Sequence, residues 1–288
     1  MTRCLIFFLA MVLVSISNYA QSDKIITHKD LLFAAIGSRV LSLDLYLPAD
    51  KDNPPVIIWV HGGAWHSGSK DDPPLDFLPF GYALASVEYR LSTEAKFPAQ
   101  IKDIKAAIQW LRGHSDEYGF DADKIVVWGS SAGGHLAALV GTTNGVKEFD
   151  PDYGHHNDQN TDVQGIIDYF GPTDFLTILD QSTPHGKDVR MPAMALLFGE
   201  PVGQDSTILK LASPVFQVDT SDPPLFIAHG NQDIQVPINQ TIELIKIYEK
   251  NGLEVSFEIL ENAGHGGKEF HSDGMKSKVL EFLQKIYD

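Results

Sequence analysis

The segment 129–133, with sequence GSSAG, lies between the apolar run 125–128 and residues 134–139, whose composition predicts a helix. A serine between two glycines at a strand-to-helix turn is exposed above the edge of a sheet, where its hydroxyl can attack a carbonyl carbon. The glycines matter because a side chain there would collide with the adjoining strand or helix. The pattern predicts that Ser131 is a nucleophile, although a Gly-Ser turn without chemistry would have the same local sequence.

A serine nucleophile needs a base and a group that orients the base. Asp233 lies in a loop just after the predicted strand 225–229, and His265 lies in a glycine-rich loop after the predicted strand 255–260. The order serine, acid, histidine along the chain is that of the α/β-hydrolase fold. Together the three positions predict a triad of Ser131, Asp233 and His265.

Other acids and histidines are weaker candidates for the triad. Asp219 and Asp222 precede the strand 225–229 instead of following it, and His271 lies on a more polar stretch than His265. His61 precedes the serine and is therefore out of order as a base. We expect His61 to hold its own loop through hydrogen bonds.

Backbone N–H groups for an oxyanion are predicted in two places. The buried strand 56–60 runs into residues 61–65, HGGAW, and a His-Gly-Gly loop after an early strand typically faces the nucleophile. We assign the N–H groups of Gly63, Ala64 and Ala132 to the oxyanion hole. In the expected reaction, Ser131 attacks an ester carbonyl, His265 removes its proton, and Asp233 fixes the imidazole tautomer.

Composition and charge limit the possible classes of protein. The chain has 288 residues, 43% of them hydrophobic, which is enough for one large α/β domain with a full core. Its formal net charge of −16 disfavours nucleic-acid binding and is compatible with a neutral ester or polymer. No repeat or linker divides the chain.

No metal or cofactor is predicted. The segment 150–158 is rich in aspartate and histidine, but it has glycine at the fifth position and Thr161 at the twelfth, so it fails the calcium-loop pattern. Adjacent histidines on a loop do not form a zinc site by themselves. We therefore interpret this segment as a polar loop.

The N-terminus has the pattern of a secretory signal peptide. Arg3 precedes an apolar stretch over 5–14, polar residues follow, and Ala20 offers a small residue before a cleavage site. The stretch is too short for a comfortable membrane span. We expect cleavage after residue 20, which would remove Cys4, the only cysteine, and leave a single catalytic domain over 21–288. An uncleaved membrane anchor is the alternative.

Periodicity predicts the remaining elements. Leucines at 41, 43, 45 and 47 predict a half-buried strand over 40–47, and Phe97-Pro98 opens a helix with an apolar stripe. Residues 175–211 predict a lid of short helices. An apolar cluster in it could line an acyl pocket or pack the lid onto the body; it consists of Met191, Met194, Leu196, Leu197 and Phe198.

With these residues in place, the chain resembles α/β-hydrolase esterases of the hormone-sensitive-lipase-like and carbohydrate-esterase type, most of all bacterial feruloyl and acetyl-xylan esterase-like proteins. The resemblance implies a mostly parallel sheet with helices on both faces and a small lid insertion. Ala64 departs from the lipase-like pattern, which often has a third glycine there. The matching stretches are residues 59–65, 88–91, 97–100, 106–111, 129–139, 171–174, 229–230 together with Asp233, and 264–266.

The resemblance and the triad predict a serine esterase acting on acetyl or feruloyl esters of plant polysaccharides, exported to the periplasm or secreted. The expected partner is a polysaccharide or small-molecule ester, with no nucleic acid, no cofactor and no stable membrane span after signal cleavage. The alternative is a general carboxylesterase or a kynurenine-formamidase-like amide hydrolase. A non-catalytic binding module is disfavoured, because such a protein should have lost a triad member.

Overall fold

The computed structural model describes residues 24–199 and 205–287. The signal peptide predicted at 1–20 lies outside the described residues, and no helix within them is long and apolar enough to cross a membrane. The described strands are β1 (Ile25–Ile36), β2 (Arg39–Pro48), β3 (Pro55–Val60), β4 (Ala83–Val87), β5 (Asp121–Ser130), β6 (Gly165–Tyr169), β7 (Leu225–Gly230) and β8 (Val255–Leu260). The described helices are α1 (Ala99–Gly113), α2 (Ser115–Tyr118), α3 (Ala132–Gly141), α4 (Ile178–Gln181), α5 (Pro184–Phe198), α6 (Ser206–Leu211), α7 (Asn239–Lys250) and α8 (Asp273–Tyr287).

The strands form one sheet in the order β1-β2-β4-β3-β5-β6-β7-β8. β2 pairs antiparallel with β1 and β4, and the other pairs are parallel. Apolar side chains alternate between two buried clusters, with Ile58 and Val127 in one and Ile57 and Val126 in the other. Both faces of the central strands are therefore covered, as a parallel sheet requires. This confirms the predicted α/β-hydrolase architecture, a mostly parallel sheet with helices.

The prediction of a half-buried strand over 40–47 is wrong about burial, because both faces of β2 are covered. The leucine face joins the main core as expected. On the other face, Asp44 accepts hydrogen bonds from Lys29 Nζ and Lys70 Nζ at 2.7 and 2.8 Å, and Tyr46 packs with Leu78 and Leu84. A carboxylate that is paired with lysines can be buried, whereas an isolated one cannot. The alternation of leucines with polar residues in β2 therefore did not mean that the polar face is exposed to solvent.

The insertion predicted over 175–211 contains α4, α5 and α6, with residues 200–204 outside the described part. Met194 and Leu197 of α5 are fully buried, whereas Met191 and Leu196 are about half exposed. None of these residues borders the cleft beside Ser131. The structure therefore favours the second of the two roles considered, packing of the insertion onto the body.

Candidate active site

Ser131 occupies a strained turn between β5 and α3. Its backbone has φ 55° and ψ −119°, a region that non-glycine residues rarely adopt. A Cβ on Gly129 would lie 2.2 Å from the backbone of Gly133, and one on Gly133 would lie 2.0 Å from Val60 O. Any side chain at these two positions would therefore collide with the backbone, as the sequence predicted. Glycine is required on both sides of the serine.

The structure brings all three predicted triad residues together. His265 Nε2 lies 2.8 Å from Ser131 Oγ, and His265 Nδ1 lies 2.6 Å from Asp233 Oδ2. The other carboxylate oxygen, Oδ1, accepts from the N–H groups of Gln235 and Val236 at 2.8 and 2.9 Å. The carboxylate is thus fixed in orientation, and it accepts from His265 while His265 Nε2 faces the serine hydroxyl.

The weaker candidates lie in other surroundings. Asp222 accepts a hydrogen bond from the backbone N–H of Asp219 in the turn before β7. His271 lies in the short 3-10 turn over 268–271. Neither has a hydrogen bond to Ser131 or His265 among the described contacts. Asp233 and His265, which were chosen from their order along the chain, are the residues that lie beside the serine.

The acid and histidine loops meet because β7 and β8 are parallel neighbours. A Cβ on Gly230, at the end of β7, would lie 2.3 Å from Ala263 O, which shows how closely the two loops approach. Phe170 packs edge-on against the His265 ring, with centroids 4.8 Å apart. The imidazole of His265 is therefore fixed by the Phe170 ring as well as by the hydrogen bonds at its two nitrogens.

His229, at the end of β7, is a site residue that sequence reasoning passed over. Its Nε2 lies 3.2 Å from Asp233 Oδ2 and 3.0 Å from Val236 O, and its Nδ1 lies 2.7 Å from Thr241 Oγ1. Both groups at Nε2 can only accept, so Nε2 carries a proton, and in the neutral imidazole Nδ1 accepts from the Thr241 hydroxyl. The signal was its position four residues before Asp233, at a strand end.

Asp233 is consequently a buried carboxylate with four donors. Burial raises the pKa of Asp233, but hydrogen bonds from His229 and His265 outweigh it and hold the pKa well below its usual range. The group is therefore ionised at neutral pH, in the state that orients a neutral imidazole and stabilises an imidazolium.

His229→Leu is expected to lower kcat for ester hydrolysis by about tenfold or more, because a hydrogen bond to a charged group contributes about 1.5–3 kcal/mol. KM should change little, since His229 does not line the cleft. His229→Gln can present an N–H to the same oxygens and should recover part of the loss. Steady-state kinetics on one ester would measure this, and a Leu variant as fast as the parent would contradict a positioning role.

The predicted oxyanion loop has unusual backbone geometry. Gly63, Ala64 and Trp65 all have positive φ, at 110°, 51° and 62°. The N–H groups of Gly63 and Ala64 donate to no described residue, and that of Ala132 belongs to the first turn of α3, where no intrahelical partner exists. The three amides assigned from the sequence are therefore available donors.

Two histidines hold this loop. His61 stacks on Tyr89 with ring centroids 4.3 Å apart, and its Nδ1 lies 2.7 Å from Gly62 O, consistent with the predicted supporting role. Trp65 Nε1 donates to His135 Nδ1 at 3.0 Å, and His135 Nε2 lies 2.7 Å from Ala212 O. Burial lowers the pKa of His135 to about 4, so it is neutral and can accept from Trp65.

Asp168, on β6, lies beneath the nucleophile turn. Its Oδ1 accepts from Gly171 N–H at 2.8 Å and would lie 2.2 Å from a Cβ on Gly134, while Oδ2 has no partner among the described residues. Burial raises the pKa of Asp168 to about 7, and the Gly171 hydrogen bond offsets only part of that effect. The carboxyl is thus protonated in mildly acidic solution.

This raised pKa predicts a pH-dependent stability. The stability contributed by protonated Asp168 is complete below pH 3.8, the ordinary pKa of an aspartate, and it is lost as the pH rises through about 7. At 1.36 kcal/mol per pKa unit, the total is about 4 kcal/mol. Asp168→Asn removes this ionisation. The unfolding free energy of the variant relative to the parent should therefore increase from pH 4 to pH 7 and level off above.

Urea denaturation across that pH range measures the difference. Glu281→Gln, on the exposed face of α8, controls for exchanging a carboxyl for an amide. A relative stability of the Asp168 variant that does not change with pH would show that Asp168 titrates normally.

Ser131 and His265 border a cleft of about 390 Å³. Its walls are the oxyanion loop, the nucleophile turn, Phe170, residues 189–190 of α5, Gln235 and His265. A larger cavity of about 570 Å³ lies near the amino ends of β3 and β5 and contains none of the triad. Because the chemistry-bearing groups converge only on the first, we take the 390 Å³ cleft as the candidate active site.

Several solved structures have a fold similar to that of this chain. The truncated form of a carbohydrate esterase from gut microbiota superposes with a TM-score of 0.80 and 28% identity, over 92% of this chain and 97% of that one. A bifunctional GH43-CE from Bacteroides eggerthii gives 0.78 and 30%, over 86% of this chain and 33% of that one. The fold is that of the α/β-hydrolase esterases.

The family follows from a sequence comparison. The profile of the family BD-FAE matches residues 43–248, and the chain belongs to this family. The probable carboxylic ester hydrolase LipM of Mycobacterium tuberculosis is 31% identical over 219 residues, which are 73% of this chain and 49% of LipM. The chain spans about half the length of the curated relatives it matches.

Proposed function

We propose that this protein is a serine esterase that hydrolyses short acyl or aromatic esters, acetyl and feruloyl among them, on plant polysaccharides. The observation that carries the proposal is the hydrogen-bonded series from Ser131 through His265 to Asp233, at 2.8 and 2.6 Å, beside a cleft. The names of LipM and of the gut carbohydrate esterase support an ester as substrate and a carbohydrate as its carrier.

The proposed reaction proceeds through an acyl-enzyme. Ser131 Oγ attacks the ester carbonyl while His265 Nε2 takes its proton, and Asp233 holds the Nδ1–H and stabilises the imidazolium. The N–H groups of Gly63, Ala64 and Ala132 stabilise the oxyanion. His265 then gives the proton to the leaving alcohol, and water activated by the same histidine releases the acid and restores the serine.

Two further parts of the proposal concern organisation. Residues 1–20 act as a signal peptide and 21–288 form the single catalytic domain, with the insertion over 175–211 bordering its cleft. Export to the periplasm or the medium would bring the enzyme to polymeric substrates that do not enter a cell.

A hydrolysis panel tests the substrate. It contains acetylated xylan, methyl ferulate, 4-nitrophenyl acetate and butyrate, and N-formylkynurenine, with the Ser131→Ala variant as the blank. Release of acetate from xylan or turnover of the ferulate supports the polysaccharide assignment. Activity on nitrophenyl esters alone would favour the general carboxylesterase, and activity confined to N-formylkynurenine would favour the amide hydrolase.

A further inference from the structure

Arg190, on α5, borders the candidate active site with an unusual lack of partners. Its side chain is almost completely buried, and its Nε and Nη1 atoms have no hydrogen-bond partner among the described residues. Buried guanidinium donors without partners carry a desolvation cost that native structures usually avoid. Arg190 lines the cleft beside Ser131, so an acceptor bound there could satisfy donors that the described residues leave unpaired.

The arginine is held firmly in place by its surroundings. Thr183 caps the N-terminus of α5, accepting from Gly186 N–H, and its hydroxyl donates to Ile234 O at 3.1 Å, which ties the helix to the loop of the triad acid. The guanidinium lies over the Trp65 ring, 5.5 Å from its centroid. The side chain therefore has a fixed position between the acid loop and the oxyanion loop.

No neighbouring carboxylate among the described residues neutralises Arg190 through a hydrogen bond. Burial lowers the pKa of Arg190 to about 10, and the charge of Asp233 offsets part of that effect. Each Asp233 oxygen already accepts from two donors, the N–H groups of 235 and 236 at one and the two histidines at the other. The guanidinium stays charged at neutral pH and free to bind a different acceptor.

Arg190 also sets the charge of the cleft. Among the described residues that line it, Arg190 is the only arginine, lysine, aspartate or glutamate. A positive group stands out here because the whole chain has a formal charge of −16. A guanidinium binds a carboxylate through two parallel N–H···O bonds, and a neutral group cannot match that arrangement.

We propose that Arg190 binds a carboxylate carried by the substrate, so that the cleft selects esters with an acidic group on their acyl or alcohol part. This inference builds on the proposed esterase function. It names the acidic ester as the preferred substrate class and Arg190 as the residue that determines specificity.

Two pairs of esters, each matched in shape, test the proposal. On the alcohol side, 3-acetoxybenzoate is compared with 3-acetoxybenzamide, and on the acyl side monomethyl adipate is compared with its amide. The parent enzyme should prefer the carboxylate in at least one pair by about tenfold or more in kcat/KM, as expected for a hydrogen bond between charged groups. The variant Arg190→Met should lose about 10- to 100-fold more kcat/KM on that carboxylate than on its neutral partner.

Arg190→Lys separates recognition from packing, because it keeps the charge and should retain part of the preference. The ratio within each pair for the parent enzyme remains informative even where the Met variant folds poorly. Turnover of the neutral esters with no preference for a carboxylate would overturn the role of Arg190 and leave the esterase proposal standing. Equal losses on both members of a pair in Arg190→Met would overturn it as well. Turnover of no ester by the parent would instead contradict the esterase function.

Discussion

Ser131→Ala is expected to lower kcat for ester hydrolysis by about a million-fold, the loss seen when a triad serine is removed from a serine hydrolase. The Oγ atom lies 2.8 Å from His265 Nε2, and no other hydroxyl is hydrogen-bonded to this histidine among the described residues. Without it no acyl-enzyme can form. A 4-nitrophenyl acetate assay, corrected for spontaneous hydrolysis, measures the loss.

The neighbouring serine provides a matched control. Ser130 lies in the same turn and also borders the cleft, yet it makes no hydrogen bond to His265 among the described contacts. Ser130→Ala should keep kcat within about tenfold of the parent, because an ordinary contact contributes about 1 kcal/mol. If Ser131→Ala stayed as active as Ser130→Ala, the nucleophile would have to be another residue.

Asp233→Asn is expected to lower kcat by about 10⁴-fold through the wrong imidazole tautomer. Two backbone N–H groups occupy the Oδ1 position, so the amide nitrogen of asparagine must take the Oδ2 position, 2.6 Å from His265 Nδ1. There it donates to Nδ1 and moves the imidazole proton to Nε2. That proton then faces Ser131, and the base can no longer accept from the serine.

The comparison for this variant is Asp219→Asn, which removes the same charge from the turn before β7. Asp219 accepts from Ser221 and makes no contact with the triad in the described structure. Its variant should remain close to the parent in kcat and KM. Equal losses in the two variants would mean that the effect comes from charge or stability and not from the orientation of His265.

The candidate catalytic residues could be predicted from sequence because each of them lies next to a local signal. Ser131 lies between glycines after an apolar strand, and Asp233 and His265 each follow a strand end. Their order along the chain limited the possible fold, and parallel strands bring such ends to one edge of the sheet. The structure agrees with that placement to hydrogen-bond distance.

Apart from His61, the supporting residues were not predicted, because their roles depend on contacts between distant segments. In the sequence, Asp168 is one polar residue within an apolar strand, and only the structure shows that Gly134 and Gly171 pack against its carboxyl group. Arg190 shares the buried side of α5 with Ala193, Met194 and Leu197, at spacings of three and four residues. A charged residue within such a stripe was a usable signal, but the prediction for this helix rested on its apolar members.

The close contact at Gly133 has a consequence for how this scaffold can change. With Val60 O and His61 O pressed against it, the serine turn cannot shift without moving the strand that leads into the oxyanion loop. Ser131 Oγ and the proposed oxyanion donors of the loop after β3 therefore form one rigid unit. Helix α5 belongs to a separate insertion and borders the cleft. In laboratory evolution, we therefore expect substitutions in α5 to change which molecules the cleft accepts without displacing Ser131 or the loop that follows β3.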